Sequence, residues 1–394
     1  MTTTTTARRP RLIAADPLNL ESEFTPFERD LRDRTRAFAE SYLAEHVQEW
    51  WESESIPRDL IDRFGELGII GITLEEGGAE KAIAYGLVNS EIEAIDSGIR
   101  SVFSVQSGLA MPAIYKFGSE EQKAEYLPKM RTGEILGAFA LTEPGSGSDP
   151  GSMSSFARRD GSDWILNGYK RWNTNCWVAD IVITWVETDE GIRGFIVPTD
   201  APGVERRRVT GKYSLRAAAA TEFEMHDVRL PESAVLPGVV GLKGPLSCLN
   251  EARYGILWGV LGSMRSCLEV AIAHSIEREQ FGKPIAGFQL TQAKLADMTI
   301  RYGQGQLLAL QLGRLKQRGE LTPEQISIGK LANVGAAVEV ARTARGILGA
   351  NGVTDMYPVM RHMANLESVL TYEGTSEVHA LVIGQGLTGI SAFR

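Results

Sequence analysis

A carboxylate that could act as a base stands near the C-terminus, in the segment TYEGTSEVH at 371–379. Glu373 lies between Tyr372 and Thr375, and the apolar stretch LESVL precedes this segment. Burial in such surroundings raises the pKa of a carboxyl group, which brings it into the range where it can accept and return a proton. A glutamate on an exposed helix end would have the same sequence, so both interpretations of Glu373 stay open at this point.

Arg100 is the second candidate, because it interrupts a run of small and apolar residues, IDSGIRSVFSVQSGL. A guanidinium in such a run either forms a local ion pair or faces an anionic ligand through charge-assisted hydrogen bonds. Glu93 and Asp96 are the carboxylates close enough in sequence for the local pair. The sequence alone does not decide between the two hypotheses.

The glycine-rich segment LTEPGSGSDPGS at 141–152 could bind a cofactor. Its glycines allow the backbone to approach a ligand closely, and Thr142, Ser146 and Ser148 offer hydroxyl groups to anionic oxygens. The segment is neither a Walker A sequence nor a GxGxxG turn that opens a helix. Phosphate transfer and a Rossmann nicotinamide site therefore lose support.

A tryptophan in KRWNTN, at 170–175, is a candidate for contact with a planar ring. Trp172 could stack on such a ring while the neighbouring Asn173, Thr174 and Asn175 hydrogen-bond its edge. A buried structural tryptophan with polar turn neighbours is the alternative.

Three blocks of secondary structure must position these residues. Apolar residues recur at three- and four-residue steps from about residue 25 to 130, and Ser119 with Gln122 forms a capping box, so this block is predicted to be helical. Short β-branched and aromatic runs between about 137 and 237 predict an antiparallel sheet. Helical windows return from about 242, with a helix start at Thr322. We therefore expect an N-terminal domain at 1–135, a β-domain at 136–240 and a C-terminal domain at 241–394.

Composition excludes several classes of protein. The 394 residues carry 50 acidic and 41 basic side chains, a net charge of -9, which argues against binding to nucleic acid. Three cysteines without CxxC spacing and five scattered histidines predict neither disulfides nor a metal site. The sequence contains no run of 18 apolar residues, so it gives no prediction of a membrane-spanning helix. The N-terminus MTTTTTARRPRL lacks a secretory signal, so we expect a cytoplasmic bacterial protein, or one of the mitochondrial matrix if the source is eukaryotic.

Taken in order, these segments resemble the acyl-CoA dehydrogenase family from about Arg9 to Phe393. The string LTEPGSGSD resembles the first signature of that family, and REQFGKPIAGFQLTQAKLADM (278–298) and ILGANGV (347–353) resemble its second half. Within the family, DSGIRSVFSVQSGL, KYSLRAAA, CLNEARYGILWGVLG and TYEGTSEVHALVIGQGLTGI are most similar to the glutaryl-CoA dehydrogenase branch.

The resemblance implies a homotetramer whose subunits have an N-terminal all-α domain, a middle β-barrel or sandwich domain and a C-terminal four-helix bundle. FAD would lie between the β-domain and the bundle. Residues that match flavin or pyrophosphate contacts are Phe139, Leu141, Thr142, Ser148, Trp172 and Thr174. Those that match contacts from the neighbouring subunit are Arg278, Phe281 and Gln289, with Gly349 and Gly352 nearby, and Thr375 and Glu377 also occupy cofactor-contacting positions.

The resemblance also implies the chemistry. Glu373 would take the α-proton of an acyl-CoA thioester, its backbone N–H would help to hold the thioester carbonyl, and the β-hydride would pass to flavin N5. Arg100 would bind the second carboxylate of a glutaryl group. Electron-transferring flavoprotein would reoxidise the flavin. Further residues that match substrate contacts or the network for decarboxylation are Glu93, Ser101, Ser104, Asn250, Arg253 and Tyr372.

Two residues depart from the family pattern. Asn173 stands where Ile or Val is usual beside the flavin, and Glu251 stands where the glutaryl branch has Asn. They leave open another dicarboxylyl thioester, a carrier-protein-bound acyl group or a monooxygenase reaction. A catalytically silent structural oligomer is a rival from another class, and the visible spectrum of the purified protein would separate it from a flavoenzyme.

Overall fold

A computed structural model describes residues 12–75 and 77–393 of the chain. The expectation about an N-terminal signal concerns residues 1–11, which lie outside the described residues, as does Arg9, where the family resemblance begins. The predicted order of a helical block, a sheet block and a second helical block is confirmed.

Within residues 12–75 and 77–135, the first block has seven α-helices. Thr25 and Ser119 each form a capping box with the third helical residue, as predicted for Ser119, so the helix starts are fixed locally. Short π-helical turns at Ala39–Leu43 and Gln106–Ala110 join neighbouring helices. The helices are α1 (Pro26–Phe38), α2 (Ala44–Ser53), α3 (Leu60–Glu66), α4 (Ala82–Glu93), α5 (Ser97–Val105), α6 (Met111–Phe117) and α7 (Glu120–Thr132).

The middle block forms two sheets, where the sequence had predicted antiparallel pairing throughout. Trp164 and Phe195 pack edge to face between the sheets, with ring centroids 5.6 Å apart. The sheet orders are β1-β4-β5 and β2-β3-β7-β6. The strands are β1 (Gly137–Ala140), β2 (Phe156–Asp160), β3 (Asp163–Asn173), β4 (Ile181–Val186), β5 (Arg193–Pro198), β6 (Val204–Arg208) and β7 (Thr221–Pro231).

The prediction of purely antiparallel pairing is wrong for β1 and β4, which pair in parallel from Gly137 with Ile181 onward. The chain leaves the first sheet after β1, builds β2 and β3, and re-enters beside β1. Such a crossover connection permits parallel pairing, whereas a short hairpin would not. All residues of β1 and β4 are buried, as is usual for parallel strands that are covered on both faces.

The C-terminal block contains five helices and one small hairpin that the helical pattern did not predict. The predicted helix start at Thr322 is confirmed by its capping box. The helix α10 packs against each of the four others. The elements are α8 (Lys243–Glu277), β8 (Glu279–Gln280), β9 (Lys283–Pro284), α9 (Gln289–Gln317), α10 (Pro323–Leu348), α11 (Val359–Thr371) and α12 (Ser376–Thr388).

The central helix α8 meets α4 through a row of glycines. A Cβ atom on Gly262 would lie 1.9 Å from the carbonyl oxygen of Ser90, so only glycine allows this approach. By length and composition α8 could cross a membrane, but 72% of its most apolar window is buried within the fold. We therefore interpret it as the core helix of the domain.

We expect Gly262→Ala to destabilise the protein strongly, because the added methyl group would force α4 and α8 apart. Overpacking of this kind costs about 1–3 kcal/mol. Gly335→Ala in α10 is the matched control, since nothing lies within 4 Å of its Cβ position, and it should be neutral or slightly stabilising. Denaturant unfolding of both variants checks this, and equal midpoints would contradict the close-contact argument.

Candidate active site

The candidate base lies in the four-residue break between α11 and α12, at 372–375. Glu373 adopts φ 54° and Gly374 φ 99°, so two successive residues are in the left-handed region. This conformation costs a non-glycine residue about 1–2 kcal/mol. Thr375 then caps α12 by accepting a hydrogen bond from the Val378 backbone N–H at 3.3 Å. Glu373 therefore belongs to neither helix.

Two cationic side chains hold the backbone of this break. Arg253 on α8 donates from Nε to the carbonyl oxygen of Glu373 at 2.7 Å. Lys330 on α10 donates from Nζ to the carbonyl oxygens of Tyr372 and Gly374, the latter at 2.7 Å. Three consecutive carbonyl groups are thus bound by two charges from two different helices.

The carboxyl group of Glu373 is left free by these contacts. Its Oε2 atom is buried and has no hydrogen-bond partner among the described residues. Burial raises the pKa of Glu373, against the lowering effect of the nearby Lys330, Arg100 and Arg253. A buried, unpaired carboxyl group with a raised pKa has the properties of a general base.

Arg100 sits at the other end of the site, fully buried on α5. Its Nε donates to Glu93 Oε2 at 2.7 Å, its Nη1 to Ser104 Oγ at 2.8 Å and its Nη2 to the Tyr372 hydroxyl. A guanidinium has five N–H donors, so two remain for a ligand. Although burial opposes it, electrostatic interactions with the Tyr372 hydroxyl and the Glu93 carboxylate raise the pKa of Arg100, which stays cationic.

The local ion pair that the sequence left open is therefore made, and its partner is Glu93. Asp96 instead caps α5, accepting from the backbone N–H groups of Gly98 at 2.6 Å and Ile99 at 3.2 Å. The pair does not use all the donors of Arg100, so the ligand hypothesis remains compatible with it.

Glu93 is held as firmly as Arg100. Its Oε1 accepts hydrogen bonds from Ser97 Oγ at 2.9 Å and Ser263 Oγ at 3.3 Å. A Cβ on Gly259 would lie 2.4 Å from Glu93 Oε2 and 3.1 Å from Arg100 Nε. The missing side chain at Gly259 makes room for the ion pair between α4, α5 and α8.

The remaining candidate substrate contacts lie around these two charges. Asn250 Oδ1 accepts a hydrogen bond from Arg253 Nη1 at 3.1 Å, so the two residues act together on α8. Ser101 is buried on α5 next to Arg100, and its carbonyl oxygen accepts from Ser104 Oγ at 3.3 Å. Tyr372 joins the two ends of the site, because its hydroxyl contacts Arg100 while Glu373 follows it in the chain.

A second buried lysine organises the glycine-rich segment. Lys170 on β3 donates from Nζ to Glu143 Oε1 at 2.8 Å and to the Leu141 carbonyl oxygen at 3.1 Å. Glu143 also accepts from the backbone N–H groups of Ser154 and Ser155. Burial alone would raise the pKa of Glu143, but these hydrogen bonds lower it to about 2. The sequence analysis missed both residues of this pair.

A bulge at the end of β3 presents Trp172 to solvent. The register of β3 against β7 shifts between Lys170 and Asn173, and Trp172 takes φ 67° with 54% of its surface exposed. The adjacent Arg171 N–H donates to the Thr142 carbonyl oxygen at 2.9 Å, which ties the glycine-rich segment to the bulge. The alternative of a buried structural tryptophan is therefore wrong.

These features fit a flavin. Trp172 exposes 54% of its surface, with the Arg171 guanidinium 4.9 Å from its ring centroid, and Thr142, Ser148 and Thr174 carry hydroxyl groups in the two neighbouring segments. Phe139 and Leu141 lie behind them and are more than nine-tenths buried. The two segments thus combine apolar residues, an exposed aromatic ring and hydroxyl groups.

Another group of expected cofactor contacts lies far from Glu373. Arg278 follows the last residue of α8, about 38 Å along the helix from Arg253 at 1.5 Å per residue. Phe281 stands at the tip of the β8–β9 hairpin with φ 54° and 94% of its surface exposed, and Gln289 opens α9, also exposed. Within one chain these residues do not meet the site around Glu373.

The last expected contacts lie at helix ends. Gly349 follows α10 with φ 60°, and Gly352 packs so closely that a Cβ would lie 2.5 Å from the Arg345 carbonyl oxygen. Glu377 is exposed in the first turn of α12, after the capping residue Thr375. In the described part of the chain, no cluster of three His, Cys, Asp or Glu residues could hold a metal ion.

Both departures from the family pattern have structural partners. Asn173 is buried and donates from Nδ2 to the Thr221 carbonyl oxygen at 3.1 Å, across the bulge between β3 and β7. Glu251 accepts from Lys116 Nζ at 2.9 Å and Lys316 Nζ at 2.6 Å, which links α8 to α6 and α9. Burial would raise the pKa of Glu251, but the two lysines lower it to about 2.

Comparison with known proteins gives concordant matches. Family profiles match in succession: the acyl-CoA dehydrogenase N-terminal domain over 25–134, the middle domain over 138–228 and the C-terminal domain over 240–388. The mitochondrial short-chain specific acyl-CoA dehydrogenase of Bos taurus is 32% identical over 363 residues, which cover 90% of this chain and 88% of that protein.

Two solved structures of glutaryl-CoA dehydrogenase from Mycobacterium smegmatis are similar to this chain, each with a TM-score of 0.94. The first is 55% identical and covers 96% of this chain and 99% of its own. The second, in complex with FADH2, is 50% identical and covers 97% of this chain and 100% of its own.

We expect Lys170→Met to loosen the glycine-rich segment, because it leaves the Glu143 carboxylate buried without its cation. Breaking a buried ion pair in this way costs about 3–5 kcal/mol. Limited proteolysis within 144–152 should accelerate, and the flavin content of the purified protein should fall. Lys294→Met, an exposed substitution on α9, is the control. Unchanged proteolysis in the Lys170 variant would contradict the role of the pair.

Proposed function

This chain belongs to the acyl-CoA dehydrogenase family and is an FAD-dependent oxidoreductase, and on that premise we propose that it converts glutaryl-CoA to crotonyl-CoA and carbon dioxide. The observation that carries the substrate assignment is the fully buried Arg100, with two donors free, in the same site as the unpaired carboxyl group of Glu373. The likeness to proteins described as glutaryl-CoA dehydrogenase supports it.

Glu373 takes the α-proton of the thioester in this proposal. An α-C–H bond is too weakly acidic for a carboxylate in water, so the site must match the pKa of the base and stabilise the developing enolate. Burial supports the first requirement by raising the pKa of Glu373. Its own backbone N–H is proposed to donate to the thioester carbonyl. FAD, when bound, supplies the acceptor for the hydride that leaves the β-carbon.

Arg100 binds the distal carboxylate through its two remaining N–H donors. Such charge-assisted hydrogen bonds contribute about 1.5–3 kcal/mol, or roughly one to two decades of selectivity over a neutral acyl chain. Glu93, Ser101 and Ser104 keep the guanidinium in place while the carboxylate leaves as carbon dioxide. A proton must then be added at the γ-carbon, and the electron pair of the broken C–C bond forms the new C–H bond.

The FAD site is proposed to need a second copy of the chain. Trp172 with Thr142, Thr174 and the Glu373 segment would form one wall, including Thr375 and Glu377. Arg278 lies about 38 Å from Arg253 along α8, and Phe281 and Gln289 follow it in the chain, so we propose that these three residues complete such a site in a neighbouring subunit. Gly349 and Gly352 are proposed to lie near the same part of the cofactor.

We propose a homotetramer that works in the cytoplasm and passes electrons to electron-transferring flavoprotein. Large apolar side chains of the C-terminal block support the assembly, because Leu290, Ile300 and Leu387 are 81%, 57% and 82% exposed in the single chain. Surfaces of this kind are usually covered by a partner. The electron acceptor and the compartment rest on the family alone.

The alternative reactions gain no support from the two departures. Asn173 and Glu251 are both engaged in contacts within the fold, with Thr221 and with two lysines. Neither side chain is therefore a free group that argues for oxygen chemistry or for a different acyl carrier.

Glutaryl-CoA should bleach the visible flavin absorbance of the purified protein under anaerobic conditions. We expect Glu373→Gln to keep its FAD and to lose this bleaching, because the variant keeps the shape of the side chain and removes only the base. Stopped-flow absorbance measures both. Bleaching of the variant at the wild-type rate would show that another group takes the proton.

Arg100→Ala should lower kcat/KM for glutaryl-CoA about ten- to hundredfold more than for butyryl-CoA, since only the first substrate carries a distal carboxylate. The double variant Glu93→Gln/Arg100→Gln is the control, because it removes both buried charges and keeps polar groups at both positions. Steady-state assays with an artificial electron acceptor measure the ratio. Equal losses for the two substrates would mean that Arg100 serves the fold only.

A further inference from the structure

Lys330 is a buried cation to which neither the family resemblance nor the proposed reaction gives a role. It lies in the N-terminal third of α10 with 2% of its surface exposed. Its ammonium group reaches the break between α11 and α12 and binds the carbonyl oxygens of Tyr372 and Gly374. These are the two residues that flank the proposed base in the chain.

The arrangement holds the backbone of Glu373 without occupying its side chain. A lysine that paired directly with the carboxylate would keep it from a substrate proton. Here the N–H donors of Lys330 go to the carbonyl groups on either side, and Glu373 Oε2 stays unpartnered among the described residues. The left-handed backbone at Glu373 is a conformation that persists only where the surroundings hold it.

Tight packing on the other side prevents the break from moving away. A Cβ on Gly374 would lie 2.9 Å from His379 Nε2 and 3.4 Å from Arg253 Nη2. His379 is itself fixed by a hydrogen bond between Nδ1 and Ser327 Oγ at 3.0 Å. The break is thus enclosed by α8, α10 and α12, and Lys330 is the group that binds it from α10.

We propose that Lys330 is a positioning residue for the base: it holds the backbone on both sides of Glu373 so that the free carboxylate points at the α-carbon of the substrate. This inference rests on the proposed role of Glu373. Placement matters at this step, because a displacement of about 1 Å can reduce a rate about a hundredfold.

The charge of Lys330 also affects the pKa of Glu373, and this effect can be measured as a shift in the pH profile of the rate. Burial raises the pKa of Glu373, and the charges of Lys330, Arg100 and Arg253 lower it. Burial in turn lowers the pKa of Lys330. Burial lowers the pKa of His379 to about 3, so this ring is neutral near pH 7. The tyrosines Tyr85 and Tyr372, which also face Glu373, have pKa values raised by burial and stay neutral.

Removing the charge of Lys330 should therefore raise the pKa of Glu373 further. The base works only when ionised, so the rise of its rate with pH should move to higher pH. A residue that served only the fold would reduce the rate by the same factor at every pH.

The experiment measures proton abstraction without oxidation. A glutaryl-CoA analogue with sulfur in place of the β-carbon has no β-hydrogen to lose, so exchange of its α-protons with deuterated water reports on Glu373 alone. Exchange by the FAD-loaded enzyme is followed by mass spectrometry across pH, together with flavin content and thermal unfolding of each variant.

Lys330→Met should slow the exchange about ten- to hundredfold and shift its pH profile upward. Lys330→Arg, which keeps the charge and can bind a carbonyl group, should keep the wild-type profile and recover part of the rate. Lys129→Met, an exposed substitution on α7, should behave like the wild type. If Lys330→Met does not fold, Lys330→Gln provides the same test, because it keeps a donor and removes the charge.

Exchange by the charge-removing variant at the wild-type rate, or a loss that is equal at every pH, would overturn the role of Lys330. Exchange that survives in Glu373→Gln would instead overturn the proposed function. The two failures are therefore distinguishable in one set of measurements.

Discussion

An ionised group loses its hydration when it is buried, so charged partners or hydrogen bonds must replace that hydration, and this constraint shapes the whole site. Arg100 and Glu93 meet it as a pair whose atoms bond to Ser97, Ser104 and Ser263. This pair also requires Gly259 on α8, because a larger residue there would occupy the space of the ion pair. The close packing of the helices and the burial of the charged pair therefore depend on each other.

Buried lysines that bind backbone carbonyl oxygens occur at two places in the site. Lys330 and Lys170 are both buried, and each donates to backbone carbonyl oxygens of a short irregular segment. Lysine suits this task because its ammonium group has three donors on a flexible stem and can bind several carbonyl groups at once. In both cases the segment carries the groups that are proposed to work on a ligand, while the lysine itself stays behind it. Rigid helices and strands thus supply the precision that irregular backbone lacks.

Local signals explain what the sequence could predict. The helix–sheet–helix order and the helix starts at Ser119 and Thr322 depend on residues within a few positions of each other, and Glu373 and Arg100 stand out in their own short segments. The parallel pairing of β1 with β4 and the contact of Lys330 with the 372–375 break depend on residues about 40 positions apart. Lys330 looks like any surface lysine on a helix, except that small and apolar residues surround it. The partners of Asn173 and Glu251 are also far away in the sequence, so they could not be predicted. These contacts indicate that both residues are structural.

Tyr372 touches both charged ends of the site, since its hydroxyl lies on Arg100 and its carbonyl oxygen on Lys330, one residue before Glu373. One aromatic residue therefore connects the Arg100 guanidinium to the backbone that carries Glu373. In the proposed reaction, a change at Tyr372 would therefore disturb the carboxylate anchor and the base together.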